Sequence, residues 1–278
     1  MPDQTAPSSP TVLAFLTDFG LSDGYAGVMK GVVMSIAPQV CMLDITHDIA
    51  PQDIASARWI LATTYSYFPA GTIFVCVVDP GVGSARRPVA LHVGKWYFVG
   101  PDNGLFSYVL AQQPVHAAVA LTNPAYHLPQ VSHTFHGRDI FSPAAAHIAR
   151  GVALSELGPT IDPADLQRLS IDHPIRQNGQ IAAQVAHIDH FGNIITNIPL
   201  HMVPDLFEHT EIRLHLPQQG ITIVRSQRFF ATGPTEQSDN PFVYGDSSEH
   251  IAVAIRNGNA AKALGVTTGA PVSLLIGS

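Results

Sequence analysis

Four short polar segments place a carboxylate, an imidazole or an amide at the end of an apolar run. Asp79 closes Val77-Val78 and is followed by Pro80-Gly81-Val82-Gly83, with Arg86 a short distance on. A tight glycine turn can fold that Arg back onto the carboxylate, either as a structural ion pair or as part of a reaction centre. His136 lies between Phe135 and Gly137, ahead of Arg138, Asp139 and a helical stretch. An imidazole there can take, give or orient a proton. Asp18 follows Leu16-Thr17 and precedes Phe19-Gly20. It can accept two hydrogen bonds from a ribose diol, as acidic residues at strand ends do in dinucleotide folds, or else satisfy its own turn. Asp23, beside Gly24 at a helix start, joins it as a substrate-binding candidate. In the second half, Asp189-His190-Phe191-Gly192-Asn193 is a polar turn in which Phe191 can stack on a base and Asn193 can pair with a base edge. An ordinary hairpin turn is the alternative there. Open α/β sheets bind ligands at the carboxyl ends of their strands, so the pattern reads as an enzyme.

Two other chemistries fit less well. Gly81-Val82-Gly83 lacks the third glycine of a dinucleotide fingerprint, since Arg86 stands there and the turn follows the third strand, not the first. His133, His136 and Asp139, or His187, Asp189 and His190, can be drawn as metal ligands. Neither set has the HExxH spacing of a helix-borne site, and the expectation is no metal and no cofactor.

The elements that must position these groups alternate. Val12–Leu16, Val40–Ile45 and Thr72–Val78 read as buried strands, and Tyr25–Ile36 and Asp53–Tyr67 as helices, with Asp53 at the favourable positive end of its helix. That β-α-β-α-β order predicts a largely parallel sheet with helices on its faces. Val89–Val93 and Trp96–Val99 flank Gly94-Lys95 as a hairpin, and Leu105–Ala111 and Ser142–Ala149 read as helices, the latter closed by Gly151. Pro159–Asn178 is polar and aperiodic, and a linker is placed within it at 166–178. Beyond it, Gln180–Ile188, Glu211–Leu216, Ile221–Val224, His250–Ile255 and Pro271–Ile276 are short strands between Gly, Asn and Pro turns, which predicts a small all-β, barrel-like module. The fold class is thus an α/β domain over 12–165 followed by a smaller all-β domain over 179–278.

The 278 residues are 46% hydrophobic and only 13% charged, enough for a sizeable core in each half. A formal charge of -7 argues against a nucleic-acid partner, because no basic stripe is present to displace counterions. No apolar run reaches the length of a membrane span. Residues 1–11 read as a polar, disordered tail without signal-peptide features, on a cytoplasmic protein. Cys41 and Cys76 each sit in an apolar strand-like run and read as buried core residues in a reducing compartment.

Taken together in their order, these segments resemble the S-adenosyl-L-methionine (SAM) hydroxide adenosyltransferases, the adenosine-forming SAM hydrolases related to fluorinase and chlorinase. The resemblance runs through LTDFG at 16–20, DITHDI at 44–49, VVDPGVGSARR at 77–87 and PDNGL at 101–105. It continues through TFHGRDIFSPAAAHIARG at 134–151, IDHFGNIITNI at 188–198 and SSEHIAVAIRNG at 247–258. It implies a homotrimer with SAM held between the first domain of one subunit and the second domain of its neighbour. It further implies that Asp79, Arg86 and His136 position and activate water, and that Asp18 binds the ribose diol. Asp189 would meet the methionine ammonium, Phe191 and Asn193 the adenine, and Ser248 the methionine end. Water is favoured over halide because His136-Gly137 stands where halogenating relatives carry Tyr-Ser, Asp79 where they carry Tyr, and the short Gly94-Lys95 turn where they carry an insertion. Glu249 departs from the halogenases, which place an Arg there near the methionine carboxylate. A SAM- or adenosine-binding sensor without turnover, or a halide-using transferase, is the alternative.

Overall fold

Leu13 and Phe15 of the first strand enter one apolar cluster, and Ala14 and Leu16 enter another. A strand that is apolar on both sides needs cover on both, which is the condition of a parallel sheet between helical layers. The computed structural model describes residues 11–204, 206–207, 212–228 and 240–276, so the expected N-terminal tail lies outside the described residues but for Thr11. The chain forms two compact units, divided between Ser170 and Ile171.

The first unit holds strands β1 (Val12–Thr17), β2 (Cys41–Thr46), β3 (Ile73–Val77), β4 (Pro88–Val93), β5 (Trp96–Pro101) and β6 (Val115–Ala120). They form one sheet in the order β2-β1-β3-β5-β4-β6. β2, β1, β3 and β5 run parallel, and β4 is antiparallel to both of its neighbours. Helices α1 (Tyr25–Ile36) and α4 (Ser142–Ala149) pack on the face of Leu13, Phe15 and Val75. On the face of Ala14, Leu16 and Phe74 lie α2 (Ile54–Thr64) and α3 (Ser107–Gln112). Asp53 caps α2, its carboxylate accepting from Ser56 N at 2.9 Å. Cys76 is buried as expected, but Cys41 is exposed. It opens β2, the edge strand, whose residues keep part or most of their surface, so the expectation of a core residue is corrected.

Part of the polar stretch after Pro159 is not free chain. Ile161 and Leu166 are buried in the first unit's core, Ile161 N donates to Ala118 O at 2.8 Å, and Gln167 N donates to Asp102 Oδ1 at 2.8 Å.

The second unit comprises β7 (Ile175–Gln177), β8 (Gln180–Ile188), β9 (Ile194–Pro199), β10 (Ile212–Leu216), β11 (Ile221–Ile223), β12 (Phe242–Gly245), β13 (His250–Ala254) and β14 (Pro271–Ile276), with the short helix α5 (Ala260–Leu264). These strands run antiparallel in the order β11-β10-β14-β8-β9-β13-β12, with β7 also on β8, a nearly closed barrel-like sheet around its own apolar core. No helix among the described residues is long and apolar enough to cross a membrane.

Candidate active site

Register brings the first two acidic candidates together. Thr17 pairs with Val77 across β1 and β3, so Asp18 and Asp79 both leave the sheet at the carboxyl ends of adjacent parallel strands. Asn103 Nδ2 donates to Val78 O at 2.9 Å and fixes the exit of β3. Asp18 and Asp79 share a cleft of about 410 Å³ with Phe19, Tyr25, Phe135 and His136.

The Pro80–Gly83 turn folds Arg86 back as the sequence suggests. Arg86 Nε lies 3.0 and 2.9 Å from the two oxygens of Asp79, and Nη2 donates to Oδ2 as well. Both side chains are almost fully buried, and the guanidinium also stands over the Phe141 ring at 5.3 Å. Nη2 further lies 2.7 Å from Nδ1 of His136. Arginine has only donors, so Nδ1 must accept, and a neutral His136 then carries its proton on Nε2. Burial, and then the Arg86 charge, hold this imidazole below its usual range against the pull of Asp79. The electrostatics therefore favour the neutral ring.

His136 is delivered by an irregular start to α4. Gly137–Phe141 forms a single π-helical turn immediately before Ser142. Such turns are rare and often sit at functional sites, because the extra residue re-aims a side chain. Asp139, fully buried, accepts from Ser132 N at 2.8 Å, Ser132 Oγ at 2.7 Å and Arg138 Nε at 2.6 Å, which closes the loop carrying His136. Burial opposes its charge, yet the bonds from Arg138 and Ser132 hold the Asp139 carboxyl below the usual range. It is committed to this scaffold. Among the described residues no three His, Cys, Asp or Glu side chains converge on a metal-sized site.

Gly83 lets the two loops meet. Its φ is +77°, and a Cβ there would lie 2.5 Å from the carbonyl oxygen of His133. A Gly83→Ala substitution is expected to push the Arg86 turn off the His136 loop, at a cost of about 1–2 kcal/mol from the backbone conformation alone. Turnover should fall more than substrate affinity, as steady-state kinetics will read; unchanged turnover would show that this packing is dispensable.

Asp18 is itself held, its Oδ2 accepting from Gln52 N at 2.8 Å, with Gln52 at φ +68°. Asp23 is exposed and lies outside the lining of the cleft. Three aromatic rings, Phe19, Tyr25 and Phe135, meet edge to face with centroids 5.3–6.0 Å apart beside the carboxylates. Sequence reasoning missed this trio and Gln52; the aromatic types were visible, but nothing in their spacing announced that they converge.

The second unit carries the remaining candidates on two neighbouring turns. Asp189 Oδ1 accepts from Phe191 N at 2.9 Å and Asn193 N at 2.8 Å, and Oδ2 accepts from Asn193 Nδ2 at 2.7 Å. Among the described residues this leaves Asn193 Oδ1 and its second N–H for other partners, while Phe191 stands 74% exposed. Asp246 organises the other turn, accepting from Ser248 N at 3.0 Å, Ser248 Oγ at 2.6 Å and His250 N at 2.8 Å. Glu249 is exposed there at φ +62°. Tyr244 lies near both turns: burial, and then the Asp189 and Asp246 carboxylates, push its hydroxyl upward. Asp246 was missed, although an Asp two residues before a Ser is the signature of a side-chain-closed turn.

An Arg-clamped carboxylate and a neutral imidazole at the carboxyl ends of parallel strands define an α/β enzyme cleft. Comparison with known proteins sharpens this. Residues 13–158 match the family model of the SAM hydroxide adenosyltransferase N-terminal domain, and residues 183–273 match its C-terminal domain. The chain is 39% identical to an (R)-S-adenosyl-L-methionine hydrolase of Salinispora tropica over 92% of this chain and 95% of that one. It is 38% identical to an enzyme of the same name from Thermus thermophilus, over 94% and 98%. A fluorinase of an Actinoplanes species is more distant, at 25% identity over 87% and 90%. The crystal structure of an uncharacterized conserved protein from Thermotoga maritima superposes with a TM-score of 0.87 at 31% identity, covering 95% of this chain and 99% of that one. The chain belongs to the SAM hydroxide adenosyltransferase family.

Proposed function

We propose that this protein hydrolyses S-adenosyl-L-methionine to adenosine and L-methionine by in-line attack of an activated water on C5′ of the ribose. The observation that carries the mechanism is the contact of Arg86 Nη2 with His136 Nδ1. With Nδ1 occupied by a donor, His136 offers Nε2–H to the oxygen of the nucleophile. Asp79 is then the acceptor of the assembly that faces the water's proton. A base role for His136 at Nε2 would need the other tautomer, with Nδ1–H set against an arginine N–H. The bond that forms is C5′–O and the bond that breaks is C5′–S. Its electron pair neutralises the sulfonium, so methionine leaves as a neutral thioether without a general acid or metal. Rate then comes from alignment of the nucleophile and from the electrostatics around it.

In this reading Asp18 holds the ribose diol, with Asp23 at the edge of the substrate-binding set. Asp189 meets the ammonium, Phe191 and Asn193 the adenine, and Ser248 and Glu249 border the methionine end. The two sets lie on separate units of the chain, and we place the complete site between subunits of a cyclic homotrimer in the cytoplasm. Tyr25, Val28, Met34 and Leu43 expose apolar surface on α1 and β2 of the single chain, which supports burial against another copy.

The test is incubation with the separate (R) and (S) sulfonium epimers of SAM, followed by chromatography. Adenosine and methionine are expected, faster from the (R) form for which the curated relatives are named, and equally fast with a chelator present. Loss of activity to the chelator with recovery on adding zinc would overturn the metal-free reaction. 5′-Chloro-5′-deoxyadenosine as the main product in chloride would make the protein a halogenase, and binding without any product would make it a sensor.

A further inference from the structure

His47 is a buried imidazole that the proposed reaction does not use, and it belongs to the DITHDI segment at 44–49. Its Nδ1 lies 2.8 Å from Oγ1 of Thr17, the residue that precedes Asp18. Thr17 Oγ1 in turn accepts from Phe19 N at 3.3 Å. The His47 backbone carbonyl accepts from Gly20 N at 2.8 Å. One residue therefore grips the Asp18 turn on both sides, by side chain before it and by backbone after it. Behind the ring, Nε2 lies 3.0 Å from Asp44 Oδ1 in an ion-pair contact without a well-aligned hydrogen bond, and Lys30 Nζ donates to Asp44 Oδ2 at 2.6 Å. Burial works against the Asp44 charge, but Lys30 and His47 outweigh it and hold the carboxyl below its usual range. A Thr17 hydroxyl that donates to Nδ1 leaves Nε2–H facing an anion, the one neutral tautomer that suits both neighbours.

We propose that His47, backed by Asp44 and Lys30, is the positioning residue that presents Asp18 to the ribose hydroxyls. This rests on the reading of the cleft as a nucleoside site but not on turnover. A carboxylate held on one side by Gln52 N can swing; gripping the turn at Thr17 and Gly20 restricts it to one direction. His47 itself touches no substrate in this scheme.

The probes are adenosine and 2′-deoxyadenosine, with binding followed by calorimetry. A hydrogen bond to a carboxylate is worth about 1.5–3 kcal/mol, so the wild type should prefer adenosine by roughly tenfold or more. His47→Ala removes the side-chain half of this grip while the backbone bond to Gly20 N stays, and should lower that ratio severalfold and raise KM for SAM with a smaller change in kcat. His47→Asn, whose amide overlies the Nδ1 position, should restore most of the preference. Asp44→Asn, on a half-exposed side chain that folding tolerates, should lower it in the same direction by less. A merely structural role would weaken both nucleosides equally, so an undiminished ratio in His47→Ala and Asp44→Asn overturns the proposal. A wild type that binds both nucleosides alike overturns it too, because Asp18 then holds no diol. Nucleoside discrimination without SAM hydrolysis would leave the positioning role standing and remove the hydrolase reading instead.

Discussion

Asp79→Asn, Arg86→Ala and His136→Ala are each expected to lower turnover of SAM by about 10²–10⁴, with much smaller changes in substrate affinity, because these groups act on the nucleophile. Arg86→Ala carries a second cost. It strands the Asp79 carboxylate in a buried site, and removing one partner of such a pair costs about 3–5 kcal/mol of stability. Asp79→Asn removes the charge and should be milder for folding yet as severe for turnover. Two substitutions at His136 separate its possible roles. The amide nitrogen of His136→Gln reaches the Nε2 position and keeps a donor to the nucleophile, whereas His136→Asn keeps only an acceptor for Arg86. Retention of appreciably more turnover in the Gln variant supports orientation by Nε2–H; equal loss in both would point to proton abstraction by the ring. The pH dependence follows from the same geometry. The working form is neutral, and its folded-state pKa lies below the usual imidazole value of about 6.5. Turnover should therefore persist as pH falls through 6.5 and drop only below it, on a limb absent from His136→Gln.

Much of this arrangement is legible in the sequence. A run such as Phe74-Val75-Cys76-Val77-Val78 has one stable home, the middle of a sheet covered on both faces, and Asp79 must then stand at its end. The return of Arg86 was readable from the glycines of its turn. Its contact with His136 was not, since fifty positions separate them and only the tertiary fold brings the two loops together. The π-helical turn before α4 was equally hidden, because no residue pattern distinguishes it from the start of an ordinary helix. Local polarity misled at the start of the stretch placed as a linker, where buried Leu166 and the bond from Gln167 N to Asp102 tie chain that looked unattached to the first unit. It also concealed β6, whose His116 and exposed start hide three buried residues at its end. Cys41 failed for the opposite reason: an apolar strand reads the same at the sheet's edge as at its centre. His47 and Thr17 both stood in visible motifs, but their contact did not show, since pairing across β1 and β2 is a tertiary fact.

Mixed assemblies should be more active than either parent. Asp18, Asp79, Arg86 and His136 lie in the first unit, and Asp189, Phe191, Asn193 and Ser248 in the second. If each site takes its first set from one subunit and its second from the next around a ring, a damaged first unit and a damaged second unit need not meet. His136→Ala supplies the first kind of damage. Phe191→Ala supplies the second, and its exposed ring can be truncated without disturbing the core. Base stacking on an aromatic is worth about 1–3 kcal/mol, so that variant should be weak at SAM concentrations below KM. The parents are unfolded, mixed in equal amounts, refolded together and assayed at low SAM. Random association around a three-fold ring places two intact halves at about a quarter of the sites, which fixes the recovery to expect. Each parent refolded alone gives the baseline, and sedimentation checks that the assembly is trimeric. Mixtures that stay at the mean of the two parents, or a fully active monomer at assay concentration, would return the whole site to one chain. The Asp79–Arg86–His136 chemistry would be untouched by that result, because all three residues come from a single unit.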